Sequence, residues 1–195
     1  RYTGQGQKDK ALRIANVAVV LSFCYTILFM LVGVFGVRAY YTMQTGVTEI
    51  VEDGVQYLSV ICLVCAGAFF GQNFEKLLVA TGNTVHSMIS QASGAIFNII
   101  FDPLLIFGIG PFPELGVTGA AVATVLGQIF AALVALVMLT VKEKNIRLRP
   151  RSMVPSLKIL KEIFSVAIPS MITVGLSSAM SFCLNQILLA FSTTA

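Results

Sequence analysis

The hydrocarbon core of a bilayer holds no water to satisfy a backbone N–H or C=O, so a chain crossing it must close those groups within helices or a sealed barrel. Long apolar runs therefore constrain this sequence more than any motif does. Ile14–Val37, Val55–Phe74, Gly116–Val141 and Ile163–Phe191 carry no charge, and His86–Ile109 carries only Asp102. A spanning helix needs about 20 predominantly apolar residues. Each run meets or approaches that length, which predicts an all-α fold: a polytopic transmembrane helical bundle with about five spans. Composition excludes a soluble domain. Hydrophobic residues make up 56% and charged residues 11%, against about 25% charged in ordinary globular chains.

Charge orients the spans, because short cytoplasmic loops accumulate Lys and Arg. Arg1, Lys8, Lys10 and Arg13 precede the first run; Lys142, Lys144, Arg147, Arg149, Arg151, Lys158 and Lys161 lie between the fourth and fifth. The two clusters are separated by four crossings, so both can face the cytoplasm. The loop with Glu49, Glu52 and Asp53, and the Gly110–Glu114 turn, then face outside, with Arg38 beside Tyr40 and Tyr41 at the outer interface. The net charge of +4 is thus a topology signal, and nothing in it points to nucleic acid. Residues 142–162, with Pro150 and Pro155, read as a basic linker between two bundles, its last lysines able to join a short helix along the membrane surface. The expected organisation is a first bundle over 1–141 (spans near 14–37, 55–74, 86–109 and 116–141), the linker, and the first helix of a second bundle over 163–195. Arg1 at the start and the Ser-Thr-Thr-Ala end read as a piece of a longer membrane protein.

Cys24, Cys62, Cys65 and Cys183 all fall within the runs, where thiols act as small hydrophobes. Cys62 and Cys65 have redox or zinc spacing but no His, Asp or Glu nearby, and buried free thiols are expected. Gly67 and Gly71, Gly33 and Gly36, and Gly116, Gly119, Ala120, Ala121, Ala123 and Gly127 form small-residue stripes that suit close helix packing within the bundle. No catalytic constellation, metal cluster or phosphate-binding loop is present in the sequence, so an enzyme is not expected and no cofactor is implied.

Polar residues at membrane depth carry the functional signal. Asp102 is the acid read as lying well inside a span, and Asn98 lies one turn earlier on the same face. A carboxylate and an amide carbonyl are hard oxygen ligands suited to Na⁺. Pro103 removes a helix hydrogen bond and predicts a deviation near residues 99–103. The alternative is that Asp102 caps or edges the helix near the outer headgroups. Gln91, Gln128 and Asn185 are further cavity-lining candidates, each equally able, like Asn73, to bond across helices. His86 is read as interfacial.

Three segments carry a family resemblance. Ala80–Thr84 (ATGNT), Asn98–Gly108 (NIIFDPLLIFG) and Leu115–Thr124 (LGVTGAAVAT) with Gly127-Gln128 resemble the multidrug and toxic compound extrusion (MATE) transporters; Tyr2–Ala11, Ala167–Pro169 and Asn185–Phe191 extend the match across the chain. The resemblance implies helices three to seven of about twelve, in two bundles that open alternately around a central cavity. It also implies a cation site for Na⁺ or H⁺ made by Asn98, Asp102 and a threonine, Thr124 or its rival Thr118, with a further acid on a helix outside this chain. The implied activity is cation-coupled antiport of amphipathic organic cations across the plasma membrane, the partners being the substrate, the lipid bilayer and the remainder of the transporter. Two other readings stay open: a lipid-linked oligosaccharide flippase of the same superfamily, expected to carry basic residues in its cavity, and a non-transporting membrane scaffold. The orientation is checked by cysteine labelling in a background lacking the native thiols. Arg147→Cys should react only with membrane-permeant reagent in intact cells, and labelling from outside would overturn it.

Overall fold

The computed structural model describes residues 5, 7–44, 46–142 and 156–192, without the side chains of residues 8, 142 and 189–192. Seven helices are found among them: α1 (Lys8–Phe35), α2 (Val37–Gln44), α3 (Thr48–Leu63), α4 (Ala66–Ala80), α5 (Thr84–Phe107), α6 (Gly116–Lys142) and α7 (Leu157–Ser192). Four are long and apolar enough to span a bilayer, and α3 with α4 makes a fifth candidate span bent by 54°. The chain is a polytopic all-α membrane protein, as its apolar runs require.

The bend is where the structure departs most from the sequence. Proline is the usual cause of a sharp helix break, yet α5 continues as helix through Pro103 to Phe107, so the expected deviation there does not interrupt it. The break falls instead at Val64 and Cys65, which hold no proline. There the Cys65 thiol turns to the Thr26 carbonyl of α1 at 3.6 Å, and the small run Ala66-Gly67-Ala68 starts the second half on a new axis. The helix also runs past Phe74 to Ala80, taking in Glu75 and Lys76, which the sequence reading had left outside the span.

Packing radiates from α6, which contacts α3, α4 and α5, while α1 lies against α3 and α4. In lipid the contact faces must be shaped for close approach, because apolar side chains gain nothing from leaving a medium as apolar as themselves. The glycines sit where that demand is strictest. A Cβ on Gly67 would lie 2.9 Å from the Ile129 backbone nitrogen, one on Gly71 would meet Ala132, and one on Gly119 would strike the Leu105 carbonyl of α5. Gly33 approaches Cys62 equally closely. The stripes thus serve helix contacts inside the bundle. Phe74, Leu78, Ala135 and Leu139 close the α4/α6 core, with Val19 of α1 packed on it.

Polar bonds tie the remaining contacts. Asn73 donates to the Ser22 hydroxyl at 2.8 Å, the cross-helix role expected of such an amide. Gly108, left-handed at φ +64, ends α5, and the Leu115 amide returns to the Leu105 carbonyl at 3.0 Å, holding the α5–α6 turn closed. All four cysteines are free, with Cys62 and Cys65 buried.

The chain divides into two compact units, Arg1–Met153 and Val154–Ala195. Most of the 142–162 linker lies outside the described residues. Lys158 and Lys161 belong to α7 itself rather than to a separate surface helix, and α7 runs unbroken through Pro169. Its apolar stretch is unburied within its own unit.

Gly119→Ala should lower the thermal midpoint of the full-length protein in detergent, by the equivalent of about 1–3 kcal/mol, because the methyl meets backbone that cannot yield. Gly46→Ala, with open space around its Cβ, should be silent. Equal midpoints for both variants would show that the α5–α6 approach is looser than described.

Candidate cation site

Helical spacing puts Asn98 and Asp102 one turn apart on α5, and Thr124 and Gln128 one turn apart on α6. Asn98 meets α6 at Gly127. A Cβ on Gly127 would collide with the Asn98 Oδ1, so the amide carbonyl of α5 lies against the α6 backbone between Thr124 and Gln128. Gly94, one turn before Asn98, packs against the Gly127 carbonyl and the Ala131 side chain in the same way. Glycine is what brings the Asn98 amide against the α6 backbone.

The hydrogen bonding is one-sided. Asn98 Oδ1, Asp102 Oδ1 and Gln128 Oε1 are each buried and without a hydrogen-bond partner. A buried acceptor left unpaired costs about 1–3 kcal/mol, so each of the three gains from meeting a donor or a cation. The Thr124 hydroxyl spends its proton on the Ala120 carbonyl at 2.9 Å, so its remaining lone pairs are free to act as a ligand. Thr118 bonds elsewhere: its hydroxyl donates to Gln56 Oε1 on α3 at 3.3 Å. The arrangement can hold a proton on Asp102, or a small hard cation among neutral oxygens and one carboxylate.

An aromatic row runs beside the polar one. Phe97 stacks on Phe101 at 4.1 Å between ring centroids and on Phe130 of α6 at 5.3 Å, and Phe112 meets Phe101 edge-on at 6.2 Å. One turn-to-turn column of α5 is therefore oxygen-bearing, and the adjacent column is aromatic.

The other candidates lie apart. Gln91 is exposed and donates to the Ser87 hydroxyl at 3.5 Å, nearer the start of α5. Asn185 is exposed on α7 in the second unit. His86 keeps a buried Nδ1 without a partner. A buried acid also lies on α4, beyond the uncharged run: Glu75 is only 5% exposed. The following Lys76 disguised it as the edge of a loop, although Phe74, Glu75 and Leu78 share the spacing of one buried face.

Comparison with known proteins agrees with this architecture. The MatE family model matches residues 1–104. Among curated relatives, the chain is 24% identical over 196 residues to the probable multidrug resistance protein NorM of Bacillus cereus, covering 100% of this chain and 43% of that one. It is 29% identical over 148 residues to the FAD transporter of Shewanella oneidensis, covering 74% of this chain and 32% of the relative. A solved structure, the outward-facing conformation of a multidrug resistance MATE family transporter of the MOP superfamily, superposes with a TM-score of 0.82 at 26% identity, over 92% of this chain and 40% of that chain. The chain belongs to the MatE family of membrane transporters and spans less than half the length of these relatives.

Replacing an unpaired buried acceptor by an apolar group of similar shape removes a penalty. Asn98→Leu in the full-length protein, unfolded thermally without Na⁺, should therefore retain the wild-type midpoint or exceed it by the equivalent of about 1 kcal/mol. A clear fall would mean that the Asn98 oxygen is paired after all.

Proposed function

We propose that the complete protein is a cation-coupled antiporter that exports amphipathic organic cations by alternating access, with Asn98, Asp102 and Thr124 as its ion site and the Gln128 carbonyl as a further ligand. The observation that carries this reading is the set of buried, unpartnered oxygens on Asn98, Asp102 and Gln128, with Asn98 set against Gly127 of α6. The coupling ion is H⁺ or Na⁺, since either neutralises the Asp102 carboxylate: a proton by binding one oxygen, Na⁺ by drawing in the neutral oxygens as well. Neutralisation changes the cost of keeping that carboxyl between α5 and α6. It thereby biases the balance between inward- and outward-open states, provided the ion prefers one of them. Pro103 supports a movable segment there, because the Ile99 carbonyl lacks its usual amide donor. The site would sit in the plasma membrane, with the 142–162 linker on the cytoplasmic side.

The aromatic column of Phe97, Phe101 and Phe130 supports the substrate class, since ring faces bind organic cations and flat apolar surfaces together. The likeness to a protein named FAD transporter favours a second reading, a flavin nucleotide as cargo. Its phosphates need cations to hold them, and the one basic residue of the α3/α4 span, Lys76, is exposed. The organic cation is the better fit to these helices.

In proteoliposomes under an imposed Na⁺ or H⁺ gradient, Asp102→Asn should reduce fluorescent-cation efflux to the background of empty vesicles while inserting normally. Asn98→Ala should lose less, Thr124→Ala less still, and Thr118→Ala should transport as wild type. Wild-type efflux by the Asp102→Asn protein would leave Asp102 as a helix-edge cap.

A further inference from the structure

Glu75 has no part in the site above, and its surroundings are unlike those of Asp102. It lies on the buried face of α4 with Phe74 and Leu78, 5% exposed, where α4 meets α5 and α6. Its contact across the interface is Ser90 of α5, fully buried, whose Oγ stands 3.4 Å from Glu75 Oε1. The same Oγ stands 2.7 Å from the Ala131 carbonyl of α6. A serine hydroxyl has one proton. A backbone carbonyl can only accept, and its contact is the shorter by far, so the Ser90 proton belongs to Ala131. What Ser90 then offers Glu75 is a lone pair, and two oxygens facing each other bond only if the carboxyl supplies the hydrogen. A neutral acid, donating to Ser90, makes that contact a hydrogen bond, whereas a carboxylate leaves a charge against the Ser90 lone pairs.

One neighbouring charge favours the carboxylate, from a solvated position. Lys76, next in the chain, is exposed. On α5, His86 lies one turn before Ser90. On α1, which also packs on α4, Asp9, Lys10 and Arg13 sit near the N-terminal end. On α6, Gly116–Val141 contains no titratable side chain.

We propose that Glu75 is a second proton-binding site of this chain, neutral while α4 is packed on Ser90 and ionised when that contact opens to water. The step is a simple one: the carboxyl O–H bond breaks, the proton passes to water entering between the helices, and the carboxylate is left hydrated. Separating α4 from α5 would thus release a proton, and repacking would take one up. This site stands or falls independently of the Asn98 and Asp102 reading.

Infrared difference spectroscopy of the full-length transporter in lipid, between acid and alkaline pH, reads the protonated-carboxyl stretch directly. At neutral pH the wild type should show that band; Glu75→Gln should lose it, and Asp102→Asn should keep it. Ser90→Ala, which removes the acceptor but not the acid, should retain the band at higher frequency, and this variant decides the matter if Glu75→Gln does not insert. A band unaffected by Glu75→Gln, lost in Asp102→Asn, or unmoved by Ser90→Ala overturns the proposal.

Discussion

Apolar helices in lipid have no hydrophobic reason to prefer each other, so what they gain by meeting must come from how closely their backbones approach. Everything described here depends on that approach around α6. Gly67 and Gly71 of α4 close on Ile129 and Ala132, while Gly94 of α5 closes on Gly127 and Ala131. The same glycines that let helices touch also place polar side chains beside foreign backbone. Asn98 reaches the α6 main chain because Gly127 has no side chain to hold it off, and Ser90 reaches the Ala131 carbonyl through the interface that Gly94 narrows. Packing and polar chemistry are the same contact seen from two sides.

Two polar layers result, separated along α5 by the rise from Ser90 to Asn98, about 12 Å. They are opposites in hydrogen bonding. The Ser90 layer has matched donors and acceptors once Glu75 carries a proton. The Asn98 layer keeps unpaired buried acceptors on Asn98, Asp102 and Gln128. An internally satisfied layer holds helices together at fixed spacing, whereas an acceptor-rich layer responds to whatever positive charge reaches it. A third polar link, between Asn73 and Ser22, fastens α4 to α1 and leaves the faces toward α5 and α6 to these two layers.

The spans were legible because lipid imposes a length and forbids charge, and both are properties of residue type alone. Asn98 and Asp102 were legible for the same reason: an ionisable group in an apolar run is conspicuous, and helical period fixes its companion. The break at Val64 and Cys65 was not, since no proline marks it and the contact made there, Cys65 to the Thr26 carbonyl, reaches across to another helix. Glu75 was hidden by Lys76. A carboxyl and an ammonium in succession look like a solvated loop, and only the position of α4 against α5 and α6 reveals that one is buried and the other exposed. Gln91, Gln128 and Asn185 looked equivalent as isolated amides; their neighbours across the helix interfaces separate them, and those neighbours are not written locally.

If the proposed site holds the coupling ion, the Gly127 contact bears on which ion it accepts. In a site made of oxygens from two helices, the interhelical gap sets the size of the cage, and a cage discriminates between ions by the radius it can enclose without strain. Here that gap is set by Gly94, Gly119 and Gly127, none of which contributes a ligand atom. Selectivity among alkali cations would then be governed by side chains that are missing, and the residues that tune it would be invisible in any inventory of coordinating groups.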